Sequence, residues 1–447
     1  MTNKYNKYKP SKIDWLDEIP EHWEEVRLRY VGYLYGGLSG KNANDFNQNG
    51  NENNKSFIPF TNIADNLVID PDKLQEVVIQ EDEKQNQVKE GDLFFLMSSE
   101  NFDDVGHTAL LKDDLEETYL NSFCKGFRII DENVFPTFLN YHLHSKQLRH
   151  NLLTGANGFT RINLKIDKVK DLLVALPPKN EQTAIAKYLD QKTAEINELI
   201  NQKERLLELY DEEKTAIINQ AVTKGINPDV KMKDSGIDWL GEIPEHWEIK
   251  RLKYVAKINP SKNVENKNFP NNVVFLPMEK VQEDGRYDCE IKKPVNELWN
   301  GFTYFERGDI LVAKITPCFE NGKGAYLKNL ETDFGFGSTE FHVLRAISIH
   351  PEYLFFITRF ELFMKIGEAF MTGAAGQKRV STNFISEFIF VFPPSLNEQH
   401  SIVQSINNKC NSINSKIENT KKLIELFNEY KSSLISEAVT GKMKVTQ

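Results

Sequence analysis

The sequence lacks the features that mark membrane, secreted and metal-binding proteins. It has no run of about 18 apolar residues, so we expect no transmembrane helix. The opening stretch MTNKYNKYKPSKIDW has no apolar segment typical of a secretory signal. The four cysteines, at positions 124, 289, 318 and 410, form no C-x-x-C pair. This spacing argues against a zinc site or a disulfide framework and favours a reducing, cytoplasmic location.

The sequence also lacks a compact catalytic motif. GGLSGKN (36–42) is one residue shorter than a phosphate-binding loop and ends in Asn instead of Ser or Thr. ALPP (175–178) and VFPP (391–394) differ from the (N/D)-P-P-(Y/F) motif of amino-methyltransferases at the residue that would contact the amine. His142 and His144 are two positions apart on a predicted helix, a poor spacing for a metal pair. We expect neither a catalytic site nor a bound metal in this chain.

An excess of basic residues is absent as well. The 447 residues include 55 Lys and Arg against 65 Asp and Glu, a net charge of −10. Phosphate binding needs local positive charge, because exposed charges are screened beyond about 8 Å at physiological salt. The charge balance therefore argues against non-specific, tail-driven DNA binding but is compatible with a sequence-specific reader.

What the sequence does contain is an internal duplication. DWLDEIPEHWE (14–24) recurs as DWLGEIPEHWE (238–248), an offset of 238 − 14 = 224. The offset is 308 − 91 = 217 at the next matching pair, GDL (91–93) and GDI (308–310), so the first copy has seven extra residues in between. Further matches are TGANGFTRI (154–162) with TGAAGQKRV (372–380), and LLVALPPKNEQ (172–182) with FIFVFPPSLNEQ (388–399). Similar ends and dissimilar middles indicate a common frame that carries two different inserts.

The tryptophan-containing repeat, DWLxEIPEHWE, has a structural interpretation. Trp15, Trp23, Ile19 and Pro20, with their second-copy equivalents, are predicted to anchor a chain terminus on a core. The repeat would then be a packing element that each copy of the duplication needs once.

Each copy mixes short apolar runs with helical stretches, which predicts an α+β fold. The runs GDLFFLMSS, GFRII, DLLVALP, VVFLP, GDILVAKI and EFIFVFP are predicted strands. Helices are predicted near residues 136–153 and 351–370. We expect globular domains at 1–178 and 227–395, each followed by a long helix, at 179–226 and 396–447.

The two long helices, of about 43 residues, are predicted to begin at the caps Asn180 and Asn397 and to end at Gly225 and Gly441. Both carry apolar residues at heptad spacing, with Leu199, Leu206 and Leu423 between them, as expected for coiled-coil partners. Packing of each helix on its own domain is the alternative. The predicted seam consists of Leu189, Ile196, Tyr210, Ile217, Ile406, Ile413, Phe427 and Leu434.

Candidate DNA contacts lie in the glycine-containing loops. Arg161 and Arg379 follow glycines that permit a close backbone approach, and an arginine can reach a phosphate or a guanine edge. Lys165, Gln377 and Lys378 are further candidates. Solvated surface turns are the alternative interpretation. The asparagine-rich intervals 36–56 and 259–272 could read adenine, but solvated loops explain them better.

The paired order of these motifs resembles the specificity subunit of type I restriction–modification systems over nearly the whole chain. The shared elements are the duplicated WLGEIPEHWE–RLKYV box, the G-D-L strand, the T-G-x-x-G…R loop, the P-P-x-x-E-Q junction and the helix with Thr193-Ala194-Glu195. The resemblance implies two target-recognition domains that read a bipartite, asymmetric DNA site. It also implies that the two long helices form an antiparallel coiled coil.

The resemblance further implies partners and cofactors. Double-stranded DNA, two modification subunits and, in some complexes, two restriction subunits would be the partners. S-adenosylmethionine, ATP and Mg²⁺ would bind those subunits, and the present chain would be non-catalytic and bind no cofactor. A catalytic methyltransferase or nuclease, and an adaptor that does not touch DNA, are the competing functions.

Overall fold

The computed structural model describes residues 4–46, 48, 50–101, 104–153, 161–262, 271–374 and 376–445. The chain forms two compact units. The first unit comprises Met1–Lys203 and Lys422–Gln447, and the second comprises Glu204–Lys421. Each of the two long helices therefore contributes one part to each unit.

The first unit begins with a series of short strands and helices. Its described strands are β1 (Tyr8–Pro10), β2 (Glu18–Pro20), β3 (Glu24–Arg27), β4 (Gly32–Gly36), β5 (Asn54–Ile58), β6 (Gln75–Val78), β7 (Leu93–Leu96), β8 (Ser98–Ser99), β9 (Thr108–Leu110), β10 (Tyr119–Leu120), β11 (Cys124–Ile129), β12 (Ile162–Asn163) and β13 (Leu173–Leu176). Its helices are α1 (Leu28–Val31), α2 (Phe60–Asp65), α3 (Pro136–Leu143), α4 (Lys146–Leu153), α5 (Ile166–Asp171) and the first part of α6 (Lys179–Lys224).

The second unit repeats this order of elements with differences in the middle. Its described strands are β14 (Met232–Asp234), β15 (Glu242–Pro244), β16 (Glu248–Arg251), β17 (Ala256–Ile258), β18 (Asn272–Leu276), β19 (Lys292–Pro294), β20 (Thr303–Glu306), β21 (Ile310–Ala313), β22 (Gly324–Tyr326), β23 (Phe334–Gly337), β24 (Phe341–Ala346), β25 (Thr372–Ala374), β26 (Gln377–Arg379) and β27 (Ile389–Phe392). Its helices are α7 (Val295–Leu298), α8 (Pro351–Thr358), α9 (Glu361–Ala369), α10 (Thr382–Glu387) and the first part of α11 (Leu396–Val439).

Both units contain a four-stranded antiparallel sheet with the same strand order. The order is β4-β11-β7-β9 in the first unit and β17-β24-β21-β22 in the second. The inner strands β7 (LFFL) and β21 (ILVA) are buried at every position, which explains their continuous apolar sequences. Gly91 and Gly308, just before these strands, adopt φ values of +86° and +91° that favour glycine.

The second sheet differs between the units. In the first unit it has three strands in the order β10-β5-β6, and in the second it has four in the order β19-β18-β23-β20. Much of this difference lies between the tryptophan-containing repeat and the G-D-L/I strand, where the two sequence copies diverge. The smaller pairs β1–β2 and β3–β13 recur as β14–β15 and β16–β27. We call the recurring elements, which are the four-stranded sheet and the small strand pairs, the frame. The second sheet is the insert that differs between the units.

The predicted strands are confirmed, and each of the two shorter predicted helices is divided into two helices. All six apolar runs form strands. The helical stretch 136–153 is two helices, α3 and α4, and the stretch 351–370 is likewise split into α8 and α9. The second break occurs because Phe360 has an extended backbone with φ −63° and ψ 129°.

The long helices are confirmed, with 46 residues in α6 and 44 in α11, but their predicted N-caps are wrong, since Asn180 and Asn397 are each the second residue of their helix. Asn180 lies inside the first turn, because the Pro178 carbonyl accepts the Gln182 N–H at 3.0 Å. In α11 the Ser395 hydroxyl accepts the Glu398 N–H at 3.4 Å. The predicted C-terminal glycines, at positions 225 and 441, have φ values of +77° and +73°. Within the described ranges no helix is long and apolar enough to cross a membrane.

Candidate nucleic-acid interface

The tryptophan-containing repeat holds the start of a long helix in the first unit. Trp23 is fully buried, and its indole Nε1–H donates to Glu181 Oε1 at 3.2 Å. His22 Nε2 lies 2.8 Å from the other oxygen of the same carboxylate. Glu181 is in the first turn of α6, where a negative charge is also favoured by the helix dipole. The repeat therefore fixes the direction in which α6 leaves the domain.

The same contacts recur in the second unit. Trp247 Nε1–H donates to Glu398 Oε1 at 3.0 Å, and His246 Nε2 lies 2.9 Å from Glu398 Oε2. The predicted packing role of the repeat is confirmed for these tryptophans. Trp239 is less buried, at 37% exposure, but its ring packs against Phe360 and Phe388 with centroid separations of 6.4 and 6.1 Å.

Each repeat also contacts the end of the other long helix. A Cβ atom on Gly441, just after α11, would lie 2.6 Å from Pro20 Cγ in the first unit. A Cβ atom on Gly225, just after α6, would lie 3.2 Å from Trp247 Cζ2 in the second. We call each group the helix clasp: the first consists of Trp23, Glu181 and Gly441, and the second of Trp247, Glu398 and Gly225.

The glutamine that ends the segments PPKNEQ (177–182) and PPSLNEQ (393–399) has a structural role that the sequence pattern did not predict. Gln182 is buried, and its Oε1 accepts the Phe135 N–H at 2.8 Å while its Nε2 donates to the Asn133 carbonyl at 3.0 Å. Gln399 Oε1 accepts the His350 N–H at 2.7 Å. These bonds tie α6 and α11 to the segments that lead into α3 and α8. The recurrence of Glu-Gln in both copies was the available signal.

The aspartate of each G-D-L/I motif forms a buried ion pair within the shared sheet. Arg128 donates to Asp92 through Nε at 2.9 Å and Nη2 at 2.6 Å. Arg345 donates to Asp309 at 2.8 and 2.7 Å through the same atoms. Hydrogen bonds from each guanidinium to its carboxylate raise the pKa of both arginines. These arginines are bound to the frame and are poor candidates for DNA contact.

In the first unit, the structure describes only part of the predicted DNA-contact loop. Residues 154–160 of TGANGFTRI lie outside the described residues. Arg161 is exposed, and its guanidinium carbon lies 4.8 Å from the ring centroid of Phe123, itself 49% exposed. Lys165, four residues further along the chain, is exposed at the N-cap of α5. An exposed cation therefore lies against a partly exposed aromatic ring.

In the second unit, the equivalent loop forms the hairpin β25–β26. Gln377, Lys378 and Arg379 make up β26, and all three are exposed. The hairpin is held to the shared sheet through Thr316, whose hydroxyl donates to the Gly376 carbonyl at 2.6 Å and accepts the Lys378 N–H at 3.2 Å. The Arg379 guanidinium is paired with Glu340.

The two loop arginines differ in register. Leu164 N–H donates to Met97 O, and the equivalent bond of the second unit runs from Val380 N–H to Lys314 O, both at 2.8 Å. By this bond Arg379 corresponds to Asn163, two residues beyond Arg161. Arg161 lies just before β12, whereas Arg379 is the last residue of β26.

The other sequence candidates fit structural roles. Lys41 of GGLSGKN pairs with Glu83 at 2.5 Å and has a side chain only 5% exposed, so it does not present its charge to a phosphate. Asn42 caps a turn by accepting the Asn44 N–H at 2.9 Å. Of the second asparagine-rich interval, residues 263–270 lie outside the described residues. No cluster of metal-binding side chains is found in the part of the chain that the structure describes.

The predicted seam residues lie on the inner faces of the long helices to different degrees. Leu189, Ile196 and Leu434 are buried in one cluster of the first unit, against which Phe427 packs. In the second unit Ile406 and Ile413 are buried, whereas Tyr210 and Ile217 are half-buried. Leu199 and Leu423, at 40% and 41% exposure, do not belong to the buried face.

The chain matches the family described as type I restriction modification DNA specificity domain over residues 20–209 and again over 244–426. The two matches together cover most of the chain, which therefore belongs to this family. They coincide with the two copies of the duplication.

Individual relatives agree with this assignment. The specificity subunit of the type I restriction enzyme EcoEI from Escherichia coli is 38% identical over 200 residues, which are 44% of this chain and 33% of that relative. The MjaVIII specificity subunit from Methanocaldococcus jannaschii is 24% identical over 433 residues, 96% of this chain and 94% of the relative. A solved structure concerning complex assembly and conformational transition of the type I R-M system has the same fold, with a TM-score of 0.71 at 14% identity over 95% of this chain and 99% of that one.

Proposed function

We propose that this chain is the DNA-recognition subunit of a type I restriction–modification complex. In this role it reads a bipartite, asymmetric DNA site and directs adenine methylation or cleavage by partner subunits. The observation that carries the proposal is the repetition of one frame around two different second sheets. Equal frames present two readers in equivalent ways, and different inserts give the two half-sites different sequences.

The proposed recognition domains are residues 1–178 and 227–395, and the proposed spacer is an antiparallel coiled coil of residues 179–226 and 396–447. Contacts within each unit support this arrangement. In the first unit the start of α6 shares a hydrophobic cluster with the end of α11, through Leu189 and Leu434. In the second the end of α6 and the start of α11 share a cluster, through Val222 and Ile402. Pairing of a start with an end in both units requires opposite helix directions.

A continuous helix makes the spacing between half-sites a geometric quantity. The 46 residues of α6 correspond to about 69 Å at 1.5 Å per residue. Insertion of four residues after Ile200, with a matching insertion in α11, should change the number of unread base pairs between the half-sites. An unchanged spacer would show that the helices do not set the distance.

The proposed partners are double-stranded DNA, two modification subunits and, in complexes that cleave, two restriction subunits. S-adenosylmethionine, ATP and Mg²⁺ are assigned to those subunits, and the chain itself is assigned no catalytic role. We place the complex in the cytoplasm, where it meets DNA and where thiols such as the buried Cys124 stay reduced. Arg161, Lys165, Gln377 and Lys378 remain the proposed direct DNA contacts. Arg379, also predicted from the sequence, is paired with Glu340 and is proposed to act through that carboxylate.

Methylation mapping tests this function. The full chain is purified with its modification subunit, incubated with random-sequence DNA and S-adenosylmethionine, and the modified adenines are located by sequencing. We expect one bipartite motif with two different halves. Methylation by the chain alone would establish the catalytic alternative, and a complex that protects no defined sequence would establish the adaptor.

A further inference from the structure

One position of the shared sheet has opposite chemistry in the two units. Phe123 and Glu340 are 340 − 123 = 217 residues apart, and each immediately precedes an inner strand of the sheet, β11 or β24. The local turns match: Phe123 N–H donates to Asn121 Oδ1 at 2.9 Å, and Glu340 N–H donates to Ser338 Oγ at 3.2 Å. The two side chains therefore leave equivalent backbone sites. We call this position the gate position, meaning Phe123 in the first unit and Glu340 in the second.

In the first unit Phe123, at the gate position, contacts Arg161 without accepting a hydrogen bond from it. Arg161 lies over the Phe123 ring at 4.8 Å, within the range of a cation–π contact. A phenyl ring carries no carboxylate or carbonyl oxygen, so this contact leaves the five N–H donors of the guanidinium available to other acceptors. An arginine held in this way keeps its charge and its planar fork for a ligand.

In the second unit the gate position neutralises the loop arginine. Arg379 Nε donates to both Glu340 oxygens, at 3.2 and 3.0 Å, and Nη2 donates to Oε1 at 2.9 Å. The bonds from Arg379 lower the pKa of Glu340, with further contributions from Lys314 and His342. The carboxylate is ionised, 25% exposed and held in one orientation. It can accept a hydrogen bond that Phe123 cannot.

We propose that the gate position determines which base each unit reads at this point. In the first half-site Arg161, oriented by Phe123, donates to guanine N7 and O6. In the second, Glu340 accepts from the exocyclic amino group of cytosine, and Arg379 is a positioning residue. These are the bases that an arginine fork and a carboxylate recognise in the major groove. The inference rests on the proposed function, because it requires that the chain reads DNA.

Substitutions at the gate position test the inference in the full chain bound to its modification subunit. Phe123→Glu pairs with Arg161, and Glu340→Gln removes the negative acceptor. Each variant should lose about 5- to 150-fold of the discrimination at one base pair of its own half-site. The other half-site should remain unchanged, which provides an internal control in every reaction.

Two matched variants control for charge and exposure. Tyr30→Glu places a carboxylate on another exposed aromatic of the first unit, 68% exposed. Asp284→Asn removes the carboxylate of another exposed arginine pair of the second unit, in which Arg286 Nε donates to Asp284 Oδ2 at 2.6 Å. Both controls should methylate the wild-type sequence, and circular dichroism checks that all four variants are folded.

The outcomes separate this inference from the proposed function. If the wild-type complex methylates no defined sequence, the proposed function fails. If the wild type methylates a bipartite site and the gate variants keep the same site, the function stands and the gate position does not determine specificity. A uniform loss of affinity over all sequences with a smaller salt dependence would assign Arg161 to a phosphate and overturn the base-reading role.

Discussion

The two units share their supports and differ in what they present. The helix clasp, the buried aspartate–arginine pair and the four-stranded sheet recur with the same partners and nearly the same distances. The second sheet differs, and the gate position holds a phenylalanine in one unit and a glutamate in the other. The recurring parts join the long helices and the inner strands to the rest of each unit, whereas the differing parts lie outside these contacts.

This comparison also explains why the tryptophan-containing repeat occurs twice. Each repeat holds the start of one long helix and the end of the other, so a chain with two long helices needs two clasps. The clasp residues are far apart in sequence, such as Trp23, Glu181 and Gly441, and meet only in the folded unit. A single repeat would leave one helix start and one helix end without a partner.

Loss of a clasp tryptophan should have the largest effect on stability. Trp23→Ala and Trp247→Ala each remove a buried indole, and we expect a loss of about 3–5 kcal/mol in the unit concerned. Hydrogen exchange measured separately over the two units would report it. Trp239→Ala is the matched control, because that indole is 37% exposed and should cost far less. A large cost in one unit only would contradict the equivalence of the clasps.

Breaking the buried ion pair should cost less than loss of a clasp tryptophan, and more in the first unit than in the second. Asp92→Asn removes the carboxylate that Arg128 contacts, and we expect a loss of about 2 kcal/mol. Asp309→Asn should cost less, because Arg345 Nη1 also lies 2.9 Å from Glu306 Oε2 and keeps that counter-charge. The cost is below that of a fully buried pair because Arg128 and Arg345 are 22% and 25% exposed. Asp171→Asn, in an exposed pair, is the control. Equal losses measured by hydrogen exchange would indicate that Glu306 does not compensate for the loss of Asp309.

A third difference between the units concerns pH. His142 is fully buried, desolvation lowers its pKa to about 4, and its Nε2 accepts the Ala175 N–H at 3.2 Å. The folded state keeps this imidazole neutral, whereas the unfolded chain protonates it near pH 6.5. Stability is therefore full above about pH 6.5 and decreases as the pH falls toward 4. The second unit has Ile357 at the matching position of α8.

From this position alone we expect the first unit to lose about 2 kcal/mol between pH 7 and pH 5. His142→Gln, which retains a hydrogen-bond acceptor but does not titrate in this range, should remove that part of the loss. Denaturant unfolding of both proteins at the two pH values measures it. An identical pH dependence in the variant would show that His142 carries no such linkage.

The periodic and repeated features could be predicted from the sequence, and the contacts between distant segments could not. The strands and long helices follow from apolar runs and heptads, which are local patterns. The predicted N-caps are wrong for two reasons. Helical hydrogen bonds of α6 already begin at the Pro178 carbonyl, and in α11 the Ser395 hydroxyl accepts the bond that was assigned to Asn397. Arg161 and Arg379 occupy the same place in the aligned TGxxG motifs. The backbone hydrogen bonds of Leu164 and Val380 show that their registers differ by two residues.

The contacts at the gate position could not be predicted from the sequence either. Phe123 and Arg161 are 38 residues apart, and Glu340 and Arg379 are 39 apart, and no local pattern links either pair. Only the sheet brings them together. The buried roles of Gln182 and Gln399 were likewise invisible as single residues, although their repetition indicated that a function existed.

The central claim is that the two units share one set of supporting contacts and differ in the DNA sequence that they read. A half-length chain tests this claim most directly. Residues 1–228 contain the first reader, Trp23 and a helix that ends at Gly225. Because Gly225 meets Trp247 as Gly441 meets Trp23, two such fragments should pair by placing Gly225 of one copy on Trp23 of the other. The measurement is the methylation map of this fragment bound to the modification subunit, beside that of the full chain. We predict an inverted repeat of the full chain's first half-site; a monomeric fragment, or a dimer that methylates an unrelated sequence, would contradict the account.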